Sequence, residues 1–407
     1  MGSVVVIGGG ASGMFAAYSS AKNGKNTILI EKNEKLGKKI YITGKGRCNL
    51  TTSVDTNEFF LSVVSNKKFL FSCLNKFTPQ DTYNFFEDNG LPLKVERGNR
   101  VFPLSDKASD VTKTLEKQLI KNGVDIRLNT TVLSLDIVDN KIIGVNTDKG
   151  YIPCTSAIVC TGGVSYPLTG STGDGIEFAK KVGHNIVPLK SALVGIELLG
   201  SDFISLQGLS LKNVKLSAIL DNKVIFDDFG EMLFTHFGIS GPIVLTCSSK
   251  INRLDLNKIT IKVDLKPALD NQTLETRLIK EFKLNNMKTL VTVMRSLLPK
   301  TLIDCVLNQA KVKGNKNCSE ITIEERNKLI FALKNLQFSI KKLRPIEESI
   351  ITSGGVDVKQ INPKTMESKL VSGLYFAGEV LDVDALTGGY NLQIAYSTGY
   401  TAGEYAQ

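Results

Sequence analysis

The chain has 407 residues, 42% hydrophobic and 22% charged, the balance of a soluble globular protein long enough for two or three domains. Its formal charge of +10 comes from Lys and Arg spread along the sequence without blocks, which favours anionic ligands and does not point to a nucleic-acid partner. Cys48, Cys73, Cys154, Cys160, Cys247, Cys305 and Cys318 form no CxxC pair and no metal-ligand spacing, and no run approaches the roughly 18 apolar residues of a membrane span. Dithiol chemistry, a metal site and a spanning helix are thereby set aside, and a reducing cytoplasmic setting is expected.

Ser3 to Ile7 is a continuous β-branched run, the pattern of a strand buried on both faces. It leads into Gly8-Gly9-Gly10-Ala11-Ser12-Gly13, then a predicted helix from Met14 to about Asn23 stopped by Gly24. A second strand, Thr27 to Ile30, ends on Glu31 and Lys32. Strand, GxGxxG, helix, strand and acid in this order form the dinucleotide fingerprint. Gly8 serves the tight turn, Gly10 the approach of a pyrophosphate, Gly13 the packing of helix on strand, and Glu31 a ribose hydroxyl. The fingerprint by itself does not separate FAD from NAD.

Leu36 to Lys39 and Thr43-Gly44-Lys45-Gly46-Arg47-Cys48-Asn49 follow, supplying glycines for close approach, cations for phosphate and polar groups for a ring edge. Arg47 and Lys45 are candidates for phosphate or carbonyl contacts, and the lone Cys48 reads as packing rather than redox chemistry. Residues 105–122 predict a helix with Ser105 or Asp106 as cap and Gly123 as stop. Strands are expected over Val124–Leu128, Thr131–Val138 and Lys141–Thr147, the last two joined in a hairpin at Asp139-Asn140. Ala157–Cys160 returns as a buried strand into Thr161-Gly162-Gly163, with Tyr166 beside it. Gly170 to Gly175 has glycines but no strand leading into it, so no second nucleotide domain is expected.

From about residue 190 the pattern alternates: Val214–Leu220, Lys223–Phe226 and Lys258–Val263 suggest an antiparallel barrel. Helical periodicity with caps at Asp270 and Thr322 takes over between 268 and 333, and strand character returns at Gln337–Lys342. The expected fold class is α/β. A Rossmann-like FAD-binding domain (1–190 and 351–407) carries a β-barrel-like insert (191–267 and 334–350), with a small helical domain (268–333) nested inside it. Leu374 to Glu379 forms another strand ending in Gly378 and an acid, followed by Thr387-Gly388-Gly389-Tyr390-Asn391 and a helix. A second helix amino terminus suits the negative charge of reduced flavin and has no counterpart in an enzyme binding NAD alone.

Of two histidines, His184 follows Gly183 and reads as a helix-end or solvent-facing residue. His236, in a Thr-His-Phe-Gly turn read as preceding a helix, is the candidate general acid or base, a turn-ordering role being the alternative. The blocks GGGASG, TGKGRCN, Cys160–Gly163, Phe234–Pro242, Thr352–Gly355 and GEVLDVDALTGGYNLQIA together resemble bacterial FAD-dependent oxidoreductases that include BaiN-like proteins and aminoacetone oxidases. Ala385, where that family's pattern has glycine, departs from it. The resemblance implies noncovalent FAD, with the adenosine half at Gly8 to Glu31 and Val132 beside the adenine. The flavin ring then lies between Lys45–Asn49 and Gly388–Asn391, with Glu379 and Thr161–Gly163 lining the cofactor. It further implies hydride transfer with a small organic substrate, as an NAD(P)H-linked enone reductase or an oxygen-using amine oxidase. An RNA-modifying flavoprotein ranks below both, and oligomeric state is left open.

Overall fold

The computed structural model describes residues 2–407, which fall into two compact units, residues 2–191 with 346–407, and residues 192–345. The second crossing lies a few residues before the boundary drawn from sequence at 350/351.

The first unit is built on a five-stranded parallel sheet in the order Leu374–Phe376, Ser156–Val159, Ser3–Ile7, Asn26–Ile30, Asp125–Arg127. The opening strand is central, with Val6 between Ile158 and Leu29. Val4, Val5 and Val6 are fully buried, each worth about 1.5–3 kcal/mol against exposure. Because the chain runs out on one side of this strand and later returns on the other, its carboxyl end is a topological switch point, where open α/β sheets bind ligands.

The opening helix runs Ala11–Lys22, three residues earlier than periodicity suggested, because Gly10 takes the N-cap position inside the glycine motif. A closing helix, Tyr390–Tyr405, packs along it. The hairpin Val132–Val138 to Lys141–Thr147 turns at Asp139 and Asn140, whose φ values of 48° and 56° give the doubly left-handed turn that matches strand twist. Ala108–Lys121 is helical, but neither Ser105 nor Asp106 caps it. Asp106 instead accepts from Lys94 at 2.6 Å and Arg47 at 2.8 Å, and Ser105 donates to Asp110.

In the second unit six strands close a barrel in the order Ile196–Leu198, Gly238–Ser240, Lys223–Thr235, Ser210–Leu220, Ile259–Asp264, Leu336–Leu343. Alternation sets its inside: Val214, Leu216, Ala218, Ile259, Ile261 and Val263 are buried. The strand from Lys223 extends to Thr235, well past the apolar stretch legible in sequence. Polar Asp227 continues it because its carboxylate is paired across the ladder with Lys215 at 2.8 Å and accepts from Ser217. Between the last two strands the chain forms helices Asn271–Leu284, Leu290–Met294, Lys300–Ala310 and Ile323–Lys334. Asp270 caps the first and Thr322 forms a capping box with Glu325 on the last, as the sequence predicts.

Candidate dinucleotide site

The three fingerprint glycines are glycine for different reasons. At Gly13 a Cβ would lie 1.8 Å from the Gly8 carbonyl oxygen, and at Gly8, with φ 103°, 2.7 Å from the Cys160 carbonyl oxygen. Both are forced by packing of the chain on itself. Around a Cβ at Gly10 there is nothing within 4 Å, so this glycine faces open space at the helix start. The 12-residue helix has no side-chain cap and no acid in its first turn, and its first internal bond runs from Met14 N–H to Gly10. The N–H groups of Ala11, Ser12 and Gly13 are left for an anion.

Glu31 is fixed at the lip of the second strand, its Oε2 accepting from Gly9 N–H at 2.7 Å and its Oε1 from Asn33 N–H at 2.8 Å. Thr130 N–H bonds to the Glu31 carbonyl and Asn129 N–H to that of Asn33, which brings the buried start of the Val132 strand alongside. The Lys32 ammonium is occupied by Asp174 at 2.7 Å and by Thr172.

The Thr43–Asn49 loop turns through left-handed backbone at Gly44, Lys45, Gly46 and Cys48, closed by Cys48 N–H to the Thr43 carbonyl at 3.0 Å. Thr43 Oγ1 donates to the Ile40 carbonyl. Cys48 is fully buried, and burial pushes its thiol up to about 12, so it is inert packing. The Arg47 guanidinium lies over Phe102 at 4.2 Å and pairs with Glu96 and Asp106, which consumes the charge that sequence reasoning offered to phosphate. Lys45 is exposed. Asn49 presents a buried Oδ1 that has no donor within the protein.

Lys39 joins a polar cluster not anticipated as a unit. Its ammonium meets Glu379 Oε2 at 2.8 Å and Ser165 Oγ at 2.6 Å, while Glu379 Oε1 accepts from Thr352 N–H at 2.8 Å and Ser165 Oγ at 3.0 Å. Burial alone would raise the Glu379 carboxyl, but the Lys39 charge and these hydrogen bonds hold it below the usual carboxylate range. Gly163 stands against this cluster, where a Cβ would be 2.3 Å from Thr352 Oγ1. Thr161 Oγ1 accepts from Gly175 N–H, and Gly162, with φ 74°, turns the chain between them.

The closing helix also starts uncapped and without an acid in its first turn, after the left-handed pair Gly388 and Gly389. Cβ atoms at Gly399 and Gly403 would lie 2.2 Å from Ser12 O and 2.1 Å from Ala16 O, so these glycines let the two helices touch backbone to backbone. Gly378 N–H donates to Thr398, and a Cβ there would meet Ser12. Tyr390 packs edge-on to Phe59 with centroids 5.1 Å apart. The Asn391 side chain is spent on the chain itself, accepting from Ala385 N–H and donating to the Ala385 carbonyl, and so holds the turn at the position where glycine was expected.

The open cradle at Gly10, the two free helix starts and the orphaned Asn49 acceptor fit a dinucleotide carrying a polar ring such as flavin. The two histidines depart from the sequence reading to different degrees. His184 is buried, bonded through Nε2 to Ser368 Oγ at 2.8 Å and edge-on to Phe376, and burial lowers its basicity. Its backbone N–H bonds to the Ala179 carbonyl at 2.9 Å and closes the end of the Asp174–Lys181 helix after left-handed Gly183, so the helix-end reading holds, but the ring does not face solvent. His236 is exposed in the two-residue turn between Thr235 and Gly238 of the second unit, not at a helix start; the next helix begins at Pro242. Tyr166, with φ 52°, bonds through its N–H to the Glu347 carbonyl. Among the described residues no group of His, Cys, Asp and Glu is arranged to hold a metal ion.

Comparison with known proteins places this geometry. The HI0933-like protein Rossmann domain family matches residues 2–405. The chain is 31% identical to a 3-dehydro-bile acid delta(4,6)-reductase of Clostridium scindens over 100% of this chain and 99% of that one. It is also 31% identical to a ribosomal RNA dihydrouridine synthase of Haemophilus influenzae, over 97% and 96%. Among solved structures, a 3-ketosteroid delta1-dehydrogenase from Sterolibacterium denitrificans shares the fold at a TM-score of 0.53 and 12% identity, covering 100% of this chain and 99% of that one. A 3-ketosteroid-delta4-(5alpha)-dehydrogenase from Rhodococcus jostii RHA1 does so at 0.52 and 13%, covering 99% and 96%.

Proposed function

The chain belongs to the HI0933-like family of FAD-dependent Rossmann oxidoreductases, and from that premise we propose that it reduces a carbon–carbon double bond conjugated to a carbonyl, with NAD(P)H as reductant. The observation that carries this reading is end-to-end similarity to two relatives whose names describe saturation of such a bond, one in a steroid and one in a uracil ring. Amine oxidation has no such support.

FAD bound at the switch point supplies the hydride. The N–H groups of Ala11 to Gly13 would hold the pyrophosphate, Glu31 would accept a hydrogen bond from a ribose hydroxyl, and the backbone beside Val132 would border the adenine. Lys39, Glu379, Ser165 and Thr352 form a rigid polar wall for the ribityl side. The N–H groups after Gly389 would stabilise negative charge on a bound ring, and Asn49 Oδ1 would accept a hydrogen bond from an N–H at its edge. With no second fingerprint, the nicotinamide docks transiently. The seven buried, unbridged cysteines suit a reducing cytoplasm.

The test is anaerobic reduction of the FAD-loaded protein with NADH or NADPH, followed by a 4-en-3-one steroid, unmodified ribosomal RNA, an amine or air. Bleaching by a nicotinamide and recolouring by either conjugated acceptor supports the reading. A flavin bleached by the amine and recoloured by air alone replaces it with the oxidase.

One observation favours RNA as the carrier of that bond. The charge that looks diffuse along the sequence is segregated by the fold: the first unit has 27 Lys and Arg against 25 Asp and Glu, a net +2, and the second has 23 against 15, a net +8.

A further inference from the structure

Within the second unit the excess gathers in the helical part, where residues 265–335 hold 13 Lys and Arg against 7 Asp and Glu. Much of it converges on one end of the helices. Backbone hydrogen bonds from Leu290 to Lys316, from Val291 to Gly314 and from Cys318 to Lys288 tie the turn after Asn271–Leu284 to the Lys311–Lys316 loop. Lys283, Lys288, Lys311 and Lys313 are all exposed there, and among the described residues no carboxylate pairs with them, the Lys288 ammonium donating to Asn285 Oδ1 at 2.9 Å. Lys316 is already paired with Glu325. The loop borders an open groove of about 540 Å³, where Lys311 and Lys313 stand with Asn308, Asn315 and a single carboxylate, Asp304. Leu284 and Met287, 71% and 78% exposed, lie in the same turn.

Lys311 and Lys313 at the groove with two amides, and Lys283 and Lys288 in the turn tied to its loop, present phosphate-binding charge and hydrogen-bonding groups on one end of the helices. A bile acid carries a single carboxylate and cannot engage four spread lysines, whereas a polynucleotide presents a phosphate to each. We propose that this end of the helical part is the docking surface for a structured RNA, Lys283, Lys288, Lys311 and Lys313 each meeting backbone phosphate. The inference rests on the reading that the reduced bond belongs to a uracil ring in RNA. No aromatic stacking platform lines the groove, so recognition here is of backbone and shape, and base choice is left to the flavin site.

The experiment measures binding of full-length, FAD-loaded protein to unmodified ribosomal RNA transcribed in vitro, across a salt series. The quadruple variant Lys283→Gln, Lys288→Gln, Lys311→Gln, Lys313→Gln is compared with a charge-matched control in the first unit, Lys113→Gln, Lys117→Gln, Lys121→Gln, Lys181→Gln. The groove variant is expected to lose about 30-fold or more in affinity and to flatten the log–log salt slope by about 3. The control should keep both near wild type. Flavin absorbance and its bleaching by NAD(P)H, read on the same samples, report folding and chemistry separately. Equal losses in both variants, or none in the groove variant, would overturn the surface while leaving the reductase reading intact. Loss of enone and RNA reduction with RNA binding retained would remove the reaction and leave the surface. Heparin of equal charge competing as well as RNA would demote the groove to a general polyanion surface and also sink the proposal.

Discussion

The two ends of the dinucleotide site are built in opposite ways. The adenosine end takes its shape from 29 consecutive residues, Ser3 to Glu31, with Gly13 closing on Gly8 and Glu31 on Gly9, although distant segments such as Cys160 pack against it. The flavin end is assembled from segments far apart in sequence: Lys39 meets Glu379, Gly399 meets Ser12, and Thr51 donates to Gln393. Local geometry therefore sets the first and tertiary packing the second. Damage to one should act through backbone clash, and damage to the other through the fit between distant pieces.

The largest effect tests the first half of that contrast. Gly13→Ala puts a methyl 1.8 Å from a carbonyl oxygen that cannot move without the strand, and should cost about 3 kcal/mol or more in urea unfolding and abolish FAD binding. Gly10→Ala meets no atom and should unfold within about 0.5 kcal/mol of wild type while losing FAD affinity. If both substitutions destabilise alike, the open cradle is misassigned.

Next comes Gly399→Ala, which strikes Ser12 O and pries the closing helix from the opening one. The gain of roughly 1 kcal/mol in helix propensity is smaller than the clash, so a net loss of about 2 kcal/mol is expected, with FAD released. Retained FAD with a raised Tm would show that the two helices need not touch.

Glu379→Gln should cost about 2 kcal/mol at neutral pH, because it removes a charged acceptor held by Lys39, Ser165 and Thr352. The Glu379 carboxyl is lowered in the folded state, so it binds its proton more weakly there than in the unfolded chain. Its contribution is full above the ordinary carboxylate range and fades as the pH falls through the lowered value. Urea midpoints of wild type and variant should thus converge on acidification, and a gap that persists at low pH would count against the ion pair. The smallest effect is at Cys48. With its thiol near 12, it should resist alkylation at pH 8 in the native protein, and Cys48→Ala should leave the rate of flavin reduction unchanged.

The same contrast explains what could be read in advance. The strand, glycine turn and opening helix, the Asp139-Asn140 hairpin and the caps at Asp270 and Thr322 depend on neighbours within a few residues, and periodicity or turn chemistry exposes them. Arg47 was offered to a phosphate because its partners, Glu96 and Asp106, lie far along the chain. Asp106 was taken for a cap for the same reason. His184 does close a helix end, as its place after Gly183 indicates, but the fold also shuts Ser368 and Phe376 over its ring, and those partners lie far along the chain. Ser165 and Thr352 stood inside recognisable blocks, but only their meeting across 187 positions shows that they brace Glu379. The partition of charge was hidden because lysines scattered in sequence are sorted only when the chain divides into units.

The contact of the closing helix with the opening one has a consequence for how the protein is made. Everything from Glu31 to Gly389 must leave the ribosome before the second helix start exists, and at ordinary elongation speeds of about 5–20 residues per second that takes on the order of tens of seconds. A nascent chain thus holds the fingerprint segment long before the second helix start exists, and flavin capture waits on synthesis of the closing helix rather than on early folding.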